Sequence, residues 1–170
     1  MDELIKFLRT RRSVREYQNK NIDEKVILEI IKTAMYAPSA HNKQPWEFFI
    51  VKNREKLDEI AKNHPYAKML KDAPLCIVVL ANTRKQPDSG YFSQDLSAAT
   101  MNILLASWAY GIGSCWIGVY PKNERIEIVK KTLKIPEGFV PFSIVSLGYP
   151  KENPQEVERF DVKRIHTDIW

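Results

Sequence analysis

The sequence predicts an α/β or α+β protein in which helices flank one sheet. Two observations predict this class. Short apolar runs rich in β-branched residues alternate with longer segments whose apolar residues recur at helical spacing. The chain has 170 residues, a length typical of one domain, and such a domain buries roughly 70% of the surface that its unfolded chain exposes. We therefore expect residues 1–170 to form a single domain that needs no disulfide or structural metal.

The predicted order is two helices, a strand, two helices, a strand, a helix, a strand, a helix, a strand and a tail. Apolar residues at helical spacing predict helices over residues 2–10, 23–36, 53–61, 67–72, 93–110 and 123–133. Apolar runs predict strands over residues 47–51, 75–81, 114–119 and 140–147.

Capping residues and prolines set the ends of the earlier helices. Asp23 and Asn53 carry side-chain oxygens that can accept hydrogen bonds from the first free amides of a helix. Pro38 and Pro74 follow helices and prevent their continuation.

The later elements are distinguished by composition. The run 75–81 is continuously apolar, which predicts a central strand buried on both faces. Residues 83–90 are polar and predict a loop. Many small residues in the helix at 93–110 permit close packing against another helix or a dimer partner, and Gly111 and Gly113 are expected to end it.

The C-terminal segment from Pro150 onward is charged and cannot form a core of its own. It either frays or lies across another subunit, and its apolar residues favour docking. These residues are Val157, Phe160, Val162, Ile165, Ile169 and Trp170.

The composition argues against several functions. The net charge of +5 favours anionic ligands, but acidic and basic residues are interspersed, so we expect no nucleic-acid partner. Cys76 and Cys115 lie in apolar runs and are expected to be buried thiols. No signal-like N-terminus and no apolar run of about 18 residues is present, so we expect a cytoplasmic protein without a membrane span.

Catalytic side chains and metal ligands are not indicated. His41, His64 and His166 are far apart and lack the spacing of metal ligands, so no metal is predicted. No nucleophile elbow or phosphate-binding P-loop occurs. His41 is interpreted as a loop residue rather than an acid or base.

Two polar segments carry candidate ligand contacts. Four arginines lie between Arg9 and Arg15, which is typical either of a solvated helix end or of a phosphate site. The segment from Pro38 to Trp46 places hydroxyl and amide groups between prolines. It is either a simple polar loop or a surface that recognises ring edges and hydroxyls.

Two glycine-containing segments follow. Three glycines between Gly111 and Gly118 come after a helix, which does not fit the dinucleotide-binding pattern. They are expected to cap the helix and let a flat ligand approach the backbone. The Gly148-Tyr149-Pro150 segment precedes two tail arginines, Arg159 and Arg164, which either close over a phosphate or remain solvated.

Together these four segments resemble the nitroreductase-like FMN flavoprotein family. The matching stretches run in the same order over nearly the whole chain. They are Arg11-Arg12-Ser13-Val14-Arg15, Ala37-Pro38-Ser39-x-x-Asn42-x-Gln44-Pro45-Trp46, Asn102-Ile103-Leu104-Leu105-Ala106, Gly111 to Gly118, and Gly148-Tyr149-Pro150.

The resemblance implies an α+β sandwich whose central, mostly antiparallel sheet is flanked by helices, and a homodimer that exchanges its C-terminal tail. It also implies two FMN sites at the dimer interface, each built from both subunits. The FMN contacts that it implies are Arg11, Arg12, Ser13, Arg15, Pro38, Ser39, Ala40, Asn42, Gln44, Trp116, Ile117, Gly118 and Arg159.

The function implied by the resemblance is a ping-pong NAD(P)H oxidoreductase that reduces nitroaromatics, quinones or related small acceptors. One alternative is an FMN sensor or carrier with little turnover. Another is a flavin-modifying or dehalogenating relative on the same fold. The chain is short for the family between residues 83 and 92, so the resemblance does not extend to substrate contacts.

Overall fold

The computed structural model of the protein describes residues 2–152 and 154–170. Within these ranges the chain forms five α-helices, four strands and three short 3-10 helices. The helices are α1 (Asp2–Thr10), α2 (Glu24–Ala34), α3 (Arg54–Asn63), α4 (Ser89–Ala109) and α5 (Asn123–Leu133). The strands are β1 (Trp46–Val51), β2 (Leu75–Asn82), β3 (Gly113–Gly118) and β4 (Phe139–Gly148). The 3-10 helices are Ala40–Asn42, Lys68–Lys71 and Val162–Arg164.

The four strands form one sheet in the order β1-β2-β4-β3, and each neighbouring pair is antiparallel. This topology confirms the α+β class with an antiparallel sheet and excludes the α/β alternative. The predicted central position of β2 is also confirmed, because Leu75 to Ala81 are all buried. Pro141 is accommodated inside β4 beside a register shift between Val79 and Leu80 of β2.

Helices cover both faces of the sheet, so alternate residues of β2 enter two different clusters. Ile77 and Val79 pack in the cluster that contains α2 and α4. Cys76 and Val78 pack in the cluster that contains α3 and α5. The expected buried thiols are confirmed, since Cys76 and Cys115 are both free and buried.

The start of α4 differs from the prediction. The polar segment 83–90 was expected to be a loop, but α4 begins at Ser89. Asp88 provides the reason, because its carboxylate accepts a hydrogen bond from the Gly90 amide at 2.8 Å and caps the helix. Gly111, with a φ of +67°, follows the helix end as predicted, whereas Gly113 begins β3 instead.

The tail leaves the sheet along the N-terminal segment. The Lys151 amide donates to the carbonyl of Glu16 at 3.1 Å, and residues 155–170 are exposed. Its six apolar residues remain 54–96% exposed, so the tail does not dock on the core of its own chain. No helix among the described residues is long and apolar enough to span a bilayer.

Candidate functional site

The segment after α1 lies across the ends of β3 and β4. The Val14 amide donates to the Ser114 carbonyl at 2.9 Å, and Tyr17 pairs with Pro150. Val14 and Tyr17 are buried, and the Tyr17 hydroxyl is 2.6 Å from the Val14 carbonyl and 2.7 Å from the Ser146 hydroxyl. The arginine-rich segment is therefore fixed against the outer edge of β3.

Glycines permit this close approach. A Cβ at Gly113 would lie 2.7 Å from the Cβ of Val14, and one at Gly148 would lie 2.6 Å from Cδ1 of Tyr17. The expectation that the Gly111–Gly118 glycines admit a flat ligand therefore does not apply to Gly113, which makes room for protein. A Cβ at Gly118 would meet only Nη1 of Arg125, at an ordinary van der Waals distance of 4.0 Å, so close packing does not require a glycine there.

Two of the predicted phosphate contacts, Arg11 and Arg159, lie near each other. Burial lowers the pKa of Arg11, and the charges of Arg159 and Arg12 lower it further. In residues 2–152 and 154–170, the guanidinium groups of Arg11, Arg15 and Arg159 form no salt bridge, although the Glu158 carboxylate accepts a hydrogen bond from the Arg159 backbone amide at 2.8 Å. Guanidinium groups that lie near each other without a salt-bridge partner favour the binding of an anion.

Arg12 has a different role in the structure. Its guanidinium donates to the carbonyl of Arg9, in the last turn of α1, at 2.6 Å and to that of Arg11, just after the helix, at 2.9 Å. It also donates to the Val157 carbonyl of the tail at 3.2 Å. Arg12 thus joins α1 to the tail two residues before Arg159.

A wide cleft of about 1270 Å³ lies between α1 and the tail. Arg11, Arg12 and Arg159 line it together with apolar side chains such as Leu8 and Phe160. Its exposed apolar surface belongs to the same face of α1 that predicted a helix from apolar spacing.

A second cleft of about 490 Å³ lies at the edge of β3. Part of its lining comes from Arg15 and the run from Cys115 to Gly118, and part comes from Tyr66 and Lys68 in the segment after α3. This volume is in the range of small-molecule sites. The structure therefore brings the predicted residues Trp116, Ile117 and Gly118 beside the arginine segment.

The sequence did not predict the cleft residues that come from the segment after α3. These residues are Pro65, Tyr66, Lys68 and Met69. They lie about 50 positions before β3 and have no motif of their own. The sequence predicted only a short helix over residues 67–72 here, and the structure has a 3-10 helix over Lys68–Lys71.

Cys115 lies near Ser13, Arg11 and Arg15. Ser13 is exposed and forms a parallel bridge with Ser114. Burial raises the pKa of the Cys115 thiol, and the charges of Arg15 and Arg11 and the hydroxyl of Ser13 oppose this shift. Cys115 is therefore a protonated, buried thiol near neutral pH.

The remaining predicted residues lie in a separate loop, which contains Pro38, Ser39, Ala40, Asn42 and Gln44. The Gln44 amide donates to the Ser39 hydroxyl at 3.0 Å, and its side-chain amide donates to Asn42 at 3.2 Å. His41, Asn42 and Gln44 have φ values of 53°, 53° and 47°, the left-handed region that is costly for residues other than glycine.

This loop is anchored to α4. The Ala40 amide donates to the carboxylate of the buried Asp95 at 2.8 Å, and His41 lies edge-on to Tyr91 at 6.0 Å between ring centroids. Neither cleft is lined by residues 38–44. Within one chain the structure therefore does not bring the loop together with the arginines, as expected if the loop serves the other subunit's site.

Comparisons with known proteins identify the family to which the sequence is similar. Residues 8–65 and 61–149 match the Nitroreductase family. A protein of Archaeoglobus fulgidus that carries the provisional name NADH dehydrogenase/NAD(P)H nitroreductase is 46% identical over 175 residues, covering 100% of both chains.

Two solved structures are similar along the whole chain. A Parabacteroides distasonis protein with the same provisional name superposes with a TM-score of 0.96 at 36% identity, covering 100% of both chains. The FMN-dependent nitroreductase of Clostridium difficile R20291 superposes with a TM-score of 0.90 at 30% identity, covering 98% of this chain and 99% of that one. These superpositions confirm the predicted fold class.

Proposed function

The chain belongs to the nitroreductase family, and from that premise we propose that it binds FMN and transfers electrons from NADH or NADPH to a small oxidised acceptor. The acceptor class is that of nitroaromatics, quinones and related compounds. FMN, when bound, supplies the hydride and electron chemistry, and the protein supplies binding, orientation and charge.

The observation that carries the proposal is that a group of arginines adjoins the cleft at the edge of β3. Arg11 and Arg159 lie near each other and their guanidinium groups form no salt bridge among the described residues. The cleft at the edge of β3 adjoins the same segment through Arg15. FMN combines a phosphate dianion with a flat, largely apolar ring. The residues present therefore fit both parts of the molecule.

Each part of the ligand has its own residues in this proposal. Arg11, Ser13 and Arg159 would hold the phosphate, and Arg12 would contribute by holding the tail that carries Arg159. The ring would lie along Trp116, Ile117 and Gly118. Arg15 and Lys68 would provide positive charge at the rim of the cleft, which favours an anionic reduced ring.

A homodimer completes the proposed site. The loop with Pro38, Ser39, Ala40, Asn42 and Gln44 would reach the FMN bound by the partner subunit. The exposed apolar residues of α1 and the tail, among them Leu4, Phe160 and Trp170, would be covered by the second copy. The similarity to a nitroreductase described as FMN-dependent supports the same cofactor.

The decisive experiment uses the purified full-length protein under anaerobic conditions. Its bound cofactor is extracted and identified, and NADH or NADPH is then added while the visible flavin absorbance is followed. We expect the extracted cofactor to be FMN. We expect the flavin absorbance to bleach within minutes of adding the nicotinamide, which is ample time for many turnovers at a typical enzymatic rate.

The outcomes separate the candidate functions. A colourless preparation that cannot be reconstituted with FMN would exclude FMN binding. A yellow protein whose flavin is not reduced by either nicotinamide would instead favour an FMN sensor or carrier. Adding a quinone or a nitroaromatic to the reduced protein should restore the absorbance.

A further inference from the structure

His64 and Arg125 converge on one backbone atom at the end of β3. Nε2 of His64 lies 3.2 Å from the carbonyl oxygen of Gly118, and Nη1 of Arg125 donates to the same oxygen at 3.1 Å. His64 belongs to the turn after α3 and Arg125 to α5, so two separate elements fix this carbonyl.

The protonation state of His64 follows from its neighbours. The Tyr66 amide donates to Nδ1 at 3.2 Å, so Nδ1 is the acceptor and Nε2 carries the proton that is donated to Gly118. Burial lowers the pKa of His64, its bond to Gly118 opposes that shift, and the charge of Arg125 lowers the pKa further. A neutral imidazole is the form that makes both bonds.

The same two residues also contact Tyr66, a second residue of the cleft. The guanidinium of Arg125 lies over the ring of Tyr66, 4.9 Å from its centroid. The Tyr66 backbone is joined to His64 through the Nδ1 contact, and the two rings are edge-on at 6.4 Å between centroids. Tyr66 and Gly118 both line this cleft.

The geometry of β3 determines which way the backbone N–H and C=O groups of Gly118 point. In an antiparallel pair, the N–H and C=O groups of one residue point to the same side. β3 is an edge strand, and the Gly118 carbonyl points away from β4 toward His64 and Arg125. The N–H of Gly118 therefore points away from β4 as well, to the side on which His64 and Arg125 lie.

We propose that His64 and Arg125 are positioning residues that set the separation between Gly118 and Tyr66, so that the cleft accepts a flat heteroaromatic ring beside the Gly118 amide. This inference rests on the proposed FMN site. Neither residue needs to touch the ring, because both act through Gly118 and Tyr66.

The test uses paired variants of the full-length protein. His64→Phe and Arg125→Met remove the donors, whereas His64→Gln and Arg125→Lys each keep one donor. Lys131→Met, at an exposed position of α5, is the control. Dissociation constants are measured for FMN and for riboflavin, which has the same ring but no phosphate, and the spectrum of the bound flavin is recorded.

We expect His64→Phe and Arg125→Met to weaken both flavins by about tenfold, as for loss of one strong hydrogen bond, and to shift the bound-flavin spectrum. The Gln and Lys variants should retain most of the affinity, and Lys131→Met all of it. Equal loss for both flavins identifies an effect on the ring rather than on the phosphate.

Three results would overturn the inference. The first is unchanged affinity and spectrum in folded His64→Phe and Arg125→Met, and the second is a loss confined to FMN. The third is a loss in His64→Gln and Arg125→Lys as large as in the disruptive variants. If the unmodified protein binds neither flavin, the proposed function fails first, and that outcome is distinguishable from the others.

Discussion

Arg159 provides a test in which stability and ligand affinity should move in opposite directions. Arg159→Gln removes a positive charge that lies near Arg11 and lowers its pKa. The ligand-free protein should therefore be as stable as the unmodified one or more stable, since a like-charge repulsion is removed. The FMN complex should be weaker, because one cation of the phosphate site is lost.

The magnitude follows from the exposure of the site. A hydrogen bond to a charged group contributes about 1.5–3 kcal/mol, and solvent screening of an exposed arginine favours the lower end. Because about 1.4 kcal/mol corresponds to a factor of ten, the dissociation constant for FMN should rise about tenfold. Riboflavin, which lacks the phosphate, should bind with unchanged affinity.

Fluorescence titration with both flavins and thermal unfolding without ligand measure the two effects. Arg164→Gln is the matched control, because Arg164 lies five residues further along the exposed tail and already pairs with Asp161 at 3.3 Å. Equal FMN affinity for the Arg159→Gln and unmodified proteins would refute the reasoning. An equal loss with Arg164→Gln would indicate a general effect of tail charge instead.

Three further changes test the framework of the site. Gly148→Ala should lower the free energy of unfolding by about 1–3 kcal/mol, measured by chemical denaturation, since its Cβ would overlap the buried Tyr17 ring; an unchanged midpoint would contradict this packing. Asp95→Ala should lower the free energy of unfolding by about 1–3 kcal/mol because the Ala40 amide loses its acceptor. Asp95→Asn should keep that hydrogen bond, and equal losses of stability in the two variants would contradict this role of Asp95. Because burial holds the pKa of His64 below 6.5, its contribution to stability is complete above pH 6.5 and is lost as the pH falls through the lower, folded-state pKa. Denaturation at several pH values should show a shallower acid slope for His64→Gln than for the unmodified protein, and identical slopes would contradict this linkage.

The local pattern of the sequence was sufficient for most helices and strands. Asp23 and Asn53 were expected to cap helices, and their side chains accept amide hydrogen bonds from Lys25 and Lys56. The start of α4 was missed because the polar residues before it match a loop equally well. Only the geometry at Asp88 distinguishes a capped helix from a turn.

Sheet topology depends on contacts between distant parts of the chain, which local patterns do not specify. The alternation of strands and helices is compatible with parallel or antiparallel pairing, and so the pattern alone left α/β and α+β open. The antiparallel sheet was expected from the family resemblance. The order β1-β2-β4-β3 places the last strand inside the sheet, where its neighbours are far away in sequence.

The candidate site was predictable on one side only. The arginine segment and the residues of β3 have a recognisable composition, whereas Tyr66 and Lys68 enter the cleft only through tertiary packing. The sequence alone also did not show why positions 113 and 148 are glycine. The requirement for glycine comes from the side chains of Val14 and Tyr17, which pack directly against these two positions.

The strained loop bears on how the proposed dimer would form. Left-handed backbone at His41, Asn42 and Gln44 costs of order 1 kcal/mol or more at each residue. Asp95 and Ser39, both of the same chain, hold the loop in this conformation. The loop is therefore ordered before a second copy arrives, and association need not supply the energy for its strain. Such preorganisation favours binding of a ligand shared between two chains, because FMN would meet surfaces that are already shaped on both sides.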